Sequence, residues 1–206
     1  MPRPREFEED AVLDAAVECF WRRGLEATSV RDLSEATGLS QPSLYNAFGD
    51  KRQLFARSLE RYAAQSMRAR IARIEETHAP ADAIRVFFGD LITRSLADTD
   101  RRGCLIVNTA LEVAPHDAAM RRTIGAYLAE IEGFFLRSLE RLRDEGALAS
   151  GHDARDLARH FLGLLLGLRV AARARPQREL LEGMLRPALM LLGPADNRGG
   201  GINRHS

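Results

Sequence analysis

The sequence is short of cysteine, nearly devoid of lysine and without a long apolar run, and each shortage excludes something. Two cysteines in 206 residues, Cys19 and Cys104, cannot frame a disulfide-stapled fold, so a reducing cytoplasm is the expected compartment. The longest apolar run, Phe161 to Leu168, is closed by His160 and Arg169 and is too short to span a bilayer, so no membrane partner is expected. The first ten residues lack the apolar stretch of a secretory signal. His78, His116, His152, His160 and His205 are scattered without close metal-ligand spacing. Nucleophile elbow, phosphate-cradling glycine loop, CxxC and HExxH are all absent, so neither catalysis nor a cofactor is expected. Lysine occurs once, as Lys51, among 30 basic residues. Net charge is only +1, and residues 1–60 carry eight Arg and Lys against eleven Asp and Glu. Any surface for nucleic acid must therefore be local, made by where a few donors sit.

What is there is helical. Hydrophobic residues make up 45% and charged residues 29%, which excludes a disordered chain. Phe7, Ala11, Val12, Ala15, Ala16, Cys19 and Phe20 recur at three- and four-residue steps, predicting a first helix that stops at Gly24. Ser29 and Asp32 have the spacing of a capping box for a short second helix ending near Gly38. Ser40 can cap a third, with Pro42 tolerated in its first turn because the amide it lacks would be unpaired there. Gly49 breaks the chain and Asp50 caps a long fourth helix to about residue 76. Longer helices follow at about 81–98, 103–114, 117–146, 153–174 and 177–192. The expected fold class is all-α. It divides into a helix-turn-helix domain over residues 1–52, a connecting helix over 50–76, a helical domain over 77–193, and a frayed tail over 194–206.

Residues 28–51 carry the chemistry. Two short helices joined through Gly38-Leu39-Ser40 match a helix-turn-helix, with Val30, Leu33, Ala36, Leu39, Leu44 and Phe48 as its small core. At 100° per residue, Leu44, Ala47 and Phe48 share the anchoring stripe of the third helix, and Pro42, Ser43 and Asn46 lie opposite with Gln41 and Tyr45 at the margins. Such a division lets one stripe hold the helix while short polar side chains reach base edges. The amides of Gln41 and Asn46 suit base edges, and Pro42 offers an apolar contact to a thymine methyl. The hydroxyls of Ser43 and Tyr45 suit base or phosphate. Arg31 can reach a guanine edge or the backbone, and the Lys51 ammonium at a helix start can grip a phosphate. The competing reading is a helical adaptor that uses this hairpin only for protein contacts.

The runs Thr28-Ser29-Val30-Arg31-Asp32-Leu33, Gly38-Leu39-Ser40 and Leu44-Tyr45-Asn46-Ala47-Phe48-Gly49-Asp50-Lys51 resemble the DNA-binding signature of TetR/AcrR-family transcriptional regulators. The resemblance is close over the first seventy or so residues, and the remainder agrees in length and helix pattern. It implies DNA contacts at Arg31, Gln41, Pro42, Ser43, Tyr45, Asn46 and Lys51. It also implies a homodimer on pseudo-palindromic double-stranded operator DNA, most often a repressor, with a C-terminal domain that binds a small-molecule effector and releases the DNA.

Further along, Phe161 to Leu168 is apolar nearly all round and must be covered on most sides. Together with Leu180, Leu181, Met184, Leu185, Leu189 and Leu192 it fits a dimer seam or an intramolecular core; the resemblance implies the dimer. Cys104, Asn108 and Glu112 fall on one helical stripe beside Arg101 and Arg102. A thiol placed so has its thiolate favoured, which suits a sensor of electrophiles or oxidants, whereas the plain reading is a cysteine that fills space. Phe87, Phe88, Leu91, Phe134 and Phe135 either line a ligand cavity or form ordinary core. Cys104, Asn108, Phe88 and Phe134 are therefore the candidate sensing or effector-binding residues.

Overall fold

The computed structural model describes residues 3–148 and 151–193, with side chains from residue 9 onward. The tail expected over 194–206 lies outside the described residues. Helix follows helix: α1 (Arg3–Ala27), α2 (Val30–Thr37), α3 (Gln41–Phe48), α4 (Lys51–Ala63), a π-helical turn (Ala64–Arg68), α5 (Ala69–Thr77), α6 (Pro80–Ala97), α7 (Leu105–Glu112), α8 (Ala118–Asp144), α9 (Ala154–Ala174) and α10 (Arg178–Leu189), then a short 3-10 turn to Leu192. No strand occurs among the described residues. No helix among them is long and apolar enough to cross a membrane. The described residues form two compact units, one from those up to residue 70 with 98–129, the other from 71–97 with those from 130 to 193.

In the first unit, α1 and α4 pack along their length. Phe20 meets Phe55 edge-on at 5.0 Å and Trp21 meets Tyr62 at 5.0 Å, with Phe20, Phe55 and Leu59 fully buried between the two helices. Each such side chain contributes about 1.5–3 kcal/mol by leaving water. The acids that make residues 1–60 negative also serve this packing. Glu9 pairs with Arg57, and Asp10 and Asp14 pair with Arg61. The α1 acids are thus met by arginines of α4. Gly24 interrupts α1 at φ 78°, but the chain resumes a helical turn to Ala27, so the expected stop is a kink. The buried Thr28 hydroxyl donates to the Gly24 carbonyl at 2.6 Å and holds that corner.

The second unit is centred on phenylalanine. Phe87 and Phe88 from α6, Phe134 and Phe135 from α8 and Phe161 from α9 form one cluster with ring centroids 5.1–5.8 Å apart, and all five rings are buried. Helices α6, α9 and α10 pack on one another around it. Phe88 and Phe134, expected as candidate cavity lining, are 0% exposed and in van der Waals contact with other rings. They are core residues, because three helices converge where these side chains point.

Candidate nucleic-acid interface

The reading unit is built from caps. Ser29 accepts from the Asp32 amide, and the Asp32 carboxylate accepts in return from the Ser29 amide at 2.9 Å and hydroxyl at 2.7 Å, a complete capping box at the start of α2. Those hydrogen bonds from Ser29 hold the Asp32 carboxyl below its ordinary range, with Arg23 adding to the effect. Gly38 ends α2 in the left-handed conformation, φ 72°, which a side chain rarely adopts. The Thr37 hydroxyl donates to the Leu33 carbonyl at 2.7 Å and that of Ser34 to the Leu39 carbonyl, which fixes the turn. Ser40 then caps α3 by accepting from the Ser43 amide at 3.3 Å, with Pro42 in the first turn.

On α3, Leu44 and Phe48 are 3% and 5% exposed and anchor the helix. Gln41, Pro42, Ser43, Tyr45 and Asn46 are all exposed, Tyr45 at 46%. Ala47, expected on the anchoring stripe, is exposed as well; two large side chains suffice to seat eight residues. The Ser43 hydroxyl lies 2.8 Å from that of Ser40, so it reinforces the cap in the free protein. Arg31 is exposed on α2 and pairs with Glu35 at 2.9 Å, one turn on. Hydrogen bonding to that carboxylate raises the guanidinium pKa further. The arrangement is a short helix held from behind by two apolar side chains, with amides and hydroxyls turned outward.

Lys51 has partners in the fold that its position in the sequence did not show. Its ammonium, cast as a phosphate grip, donates to the backbone carbonyls of Leu25 at 2.9 Å, Thr28 at 3.0 Å and Glu26 at 3.4 Å. The corner between α1 and α2 folds back on the start of α4 and presents these carbonyls, an encounter that linear spacing does not show.

Cys104 is the half-buried residue immediately before α7, at its N-cap position. The two arginines that precede it were expected to favour the thiolate, but Arg102 is committed elsewhere. It pairs with Glu18 at 2.8 Å and Asp98 at 3.3 Å and lies over the Trp21 ring at 4.2 Å. Trp21 Nε1 donates to the Gly103 carbonyl at 3.2 Å, and Asn108 Nδ2 donates to the Arg102 carbonyl at 2.8 Å. Asn108 thus ties α7 to the loop before it, and that loop is fastened to α1. Sequence reasoning missed this junction. Its one visible signal was the chain's single tryptophan on the polar margin of a helix. Cys19 is half-buried on α1, and burial pushes its thiol pKa up.

The sequence model described as bacterial regulatory proteins, tetR family, matches residues 12–57. The one described as tetracyclin repressor-like, C-terminal domain, matches residues 80–187. The HTH-type transcriptional regulator YezE of Bacillus subtilis (strain 168) is 31% identical over 194 residues, covering 93% of this chain and all of that one. The chain belongs to the TetR family. The HTH-type transcriptional repressor ComR of Escherichia coli (strain K12) is 29% identical over 172 residues, 83% of this chain and 82% of ComR. A cysteine mutant of the TetR family regulator CifR, solved with 26-bp double-strand operator DNA, is 34% identical with a TM-score of 0.79, over 91% of this chain and 98% of CifR. This TetR-family protein is a DNA-binding transcriptional regulator, and α2–α3 is its helix-turn-helix.

Proposed function

We propose that the protein is a homodimeric repressor that reads a pseudo-palindromic operator with α3 and lets go when a small-molecule effector or a modification at Cys104 acts through α7. The observation that carries the DNA reading is the outward polar face of α3, seated by Leu44 and Phe48. Gln41 and Asn46 meet base edges, Pro42 meets a thymine methyl, and Ser43 and Tyr45 take base or phosphate. Arg31 trades Glu35 for DNA. CifR supports two reading heads per site, since 26 bp is about two and a half helical turns.

Pairing is assigned to α9 and α10. Val170 is 52% exposed, Leu162, Leu164, Leu166 and Met184 are only half-buried, and the small Gly163 and Gly167 permit close helix approach. An apolar surface of this kind calls for a second copy. The release route starts at the loop before α7, because that loop is bonded to α1 through Trp21 and Arg102 within the reading unit. An adduct on Cys104 shifts the population toward a state in which the heads no longer match the half-sites. A cytoplasmic site of action follows from the same reading.

The test is selection of genomic fragments by the purified protein, with sedimentation to give subunit number. A thiol-modifying reagent is expected to release the recovered fragment from the wild type and not from Cys104→Ser. Release from both ends the cysteine route, and a lone subunit in solution ends the paired-head reading.

A further inference from the structure

On α6, Ile84, Phe87, Phe88 and Leu91 recur at three- and four-residue steps and are buried, so they form the core face of that helix. Val86, Gly89 and Asp90 recur at the same steps on the opposite face. There they line an open cleft of about 560 Å³ with Arg73 and Ile74 of α5 and with His78 of the join after it. All of these residues belong to the second unit. The cleft is separate from the five-ring interior, and its volume is in the range of small-molecule sites. We propose that this cleft binds a small organic carboxylate with an apolar body. Assigning that ligand as the effector rests on the proposed function; the binding itself does not.

The charge in the cleft selects an anion. Arg73 is exposed, and no carboxylate among the described residues pairs with its guanidinium. Asp90 brings a carboxylate, but Arg94 meets it at 3.3 Å, so Arg73 leaves the cleft net positive. A guanidinium presents paired N–H donors in a fork that matches a carboxylate. His78 is oriented by the same turn of helix. The Thr77 hydroxyl donates to the Arg73 carbonyl at 2.7 Å, so it can only accept from His78 Nδ1, 2.8 Å away. The walls select an apolar body. Ile74 is 3% and Val86 36% exposed, so hydrocarbon laid between the helices covers apolar surface on both. Gly89 keeps the α6 wall low. A Cβ there would meet no heavy atom within 4 Å, so packing does not call for glycine, and glycine weakens a helix interior. A ligand resting against the α6 backbone does call for it.

The test is calorimetric titration of the intact protein with 2-naphthoate and with decanoate, each set against its neutral amide. Both acids are expected to bind the free protein, one per chain, with a Kd of about 1 mM or tighter. The amides keep the apolar body without the ion pair and are expected to bind about tenfold more weakly. Arg73→Gln, an exposed change that spares the fold, is expected to bring the acids down to the level of the amides. Gly89→Leu fills the cleft from the α6 wall, where there is room for a side chain. It is expected to abolish binding with Tm unchanged or raised. No binding of either acid, acids no tighter than their amides, or wild-type affinity in either variant overturns the site. Adding the acids to the complex with a genomic fragment recovered by the wild type tests the effector role apart from the site. Release from the wild type and from neither variant supports that role, and binding without release refutes it while the cleft stands. If the wild type recovers no fragment, the operator reading fails and the titrations still decide the cleft.

Discussion

Replacing Arg102 with leucine puts the junction between α1 and the loop before α7 to a quantitative test. The substitution removes an ion pair to Glu18, whose side chain is 51% exposed, and one to Asp98, which is 15% exposed. Solvent screening leaves the first worth about 0.3 kcal/mol, while the better-shielded second is worth about 1 kcal/mol. The guanidinium also lies 4.2 Å from the Trp21 ring centroid, a contact worth about 0.5–1 kcal/mol at a half-exposed site. Asp98 keeps the Gly103 amide at 2.8 Å, so its carboxylate is not orphaned and no further penalty applies. The expected loss is about 2 kcal/mol, which lowers Tm by roughly 4–8 °C for a chain of this size. Trp21 is the only tryptophan, so its fluorescence reports the junction directly. Melting followed by Trp21 emission checks the value, and a double-mutant cycle with Trp21→Phe isolates the ring contact. A Tm change under 1 °C with unaltered emission refutes the assignment of Arg102 as the clasp.

Two more outcomes follow from the same structure. Leu44→Ala empties a 3%-exposed anchor beneath the recognition helix and is expected to cost about 3 kcal/mol by denaturant titration, with operator affinity falling as α3 loses its seat. Acid is expected to weaken the first unit. Asp14 is held below its ordinary range chiefly by the hydrogen bond from Arg61, Asp32 by those from Ser29, and Glu60 by that from Arg68 with help from Tyr127. Each binds fewer protons folded than unfolded, so the stability they confer is present above about pH 4–4.5 and disappears as pH falls through the lowered folded values. Denaturant midpoints between pH 6 and pH 2.5 check this, and a flat profile contradicts it.

Most of the local architecture was legible because it is written in short-range chemistry. The Ser29–Asp32 box, the Ser40 cap and the glycines at 38 and 49 each act within a few residues, so spacing alone reveals them. Helix bounds were equally plain, except where α1 runs past Gly24 and where a π turn interrupts the long helix after Ala63. What sequence did not show depends on distant segments meeting. Lys51 reaches carbonyls up to 26 residues away, and Trp21 meets Gly103 across 82. For Phe88 and Phe134 the helical spacing favoured plain core over cavity lining without deciding it, and three helices bring five rings together there. Pairwise spacing within one helix cannot distinguish a filled interior from an empty one.

The outward face of α3 is the centre of the account, and its most direct test is the affinity of Gln41→Ala combined with Tyr45→Phe for a genomic fragment recovered by the wild type, set against a scrambled duplex. Both positions are exposed, so fold and subunit number are expected to stay as they are. Lost base-edge contacts at two heads amount to about 2 kcal/mol or more, a drop of at least thirtyfold on the recovered fragment alone. Affinity for that fragment held within twofold of the wild type, in a folded double variant, contradicts the claim that this helix reads DNA.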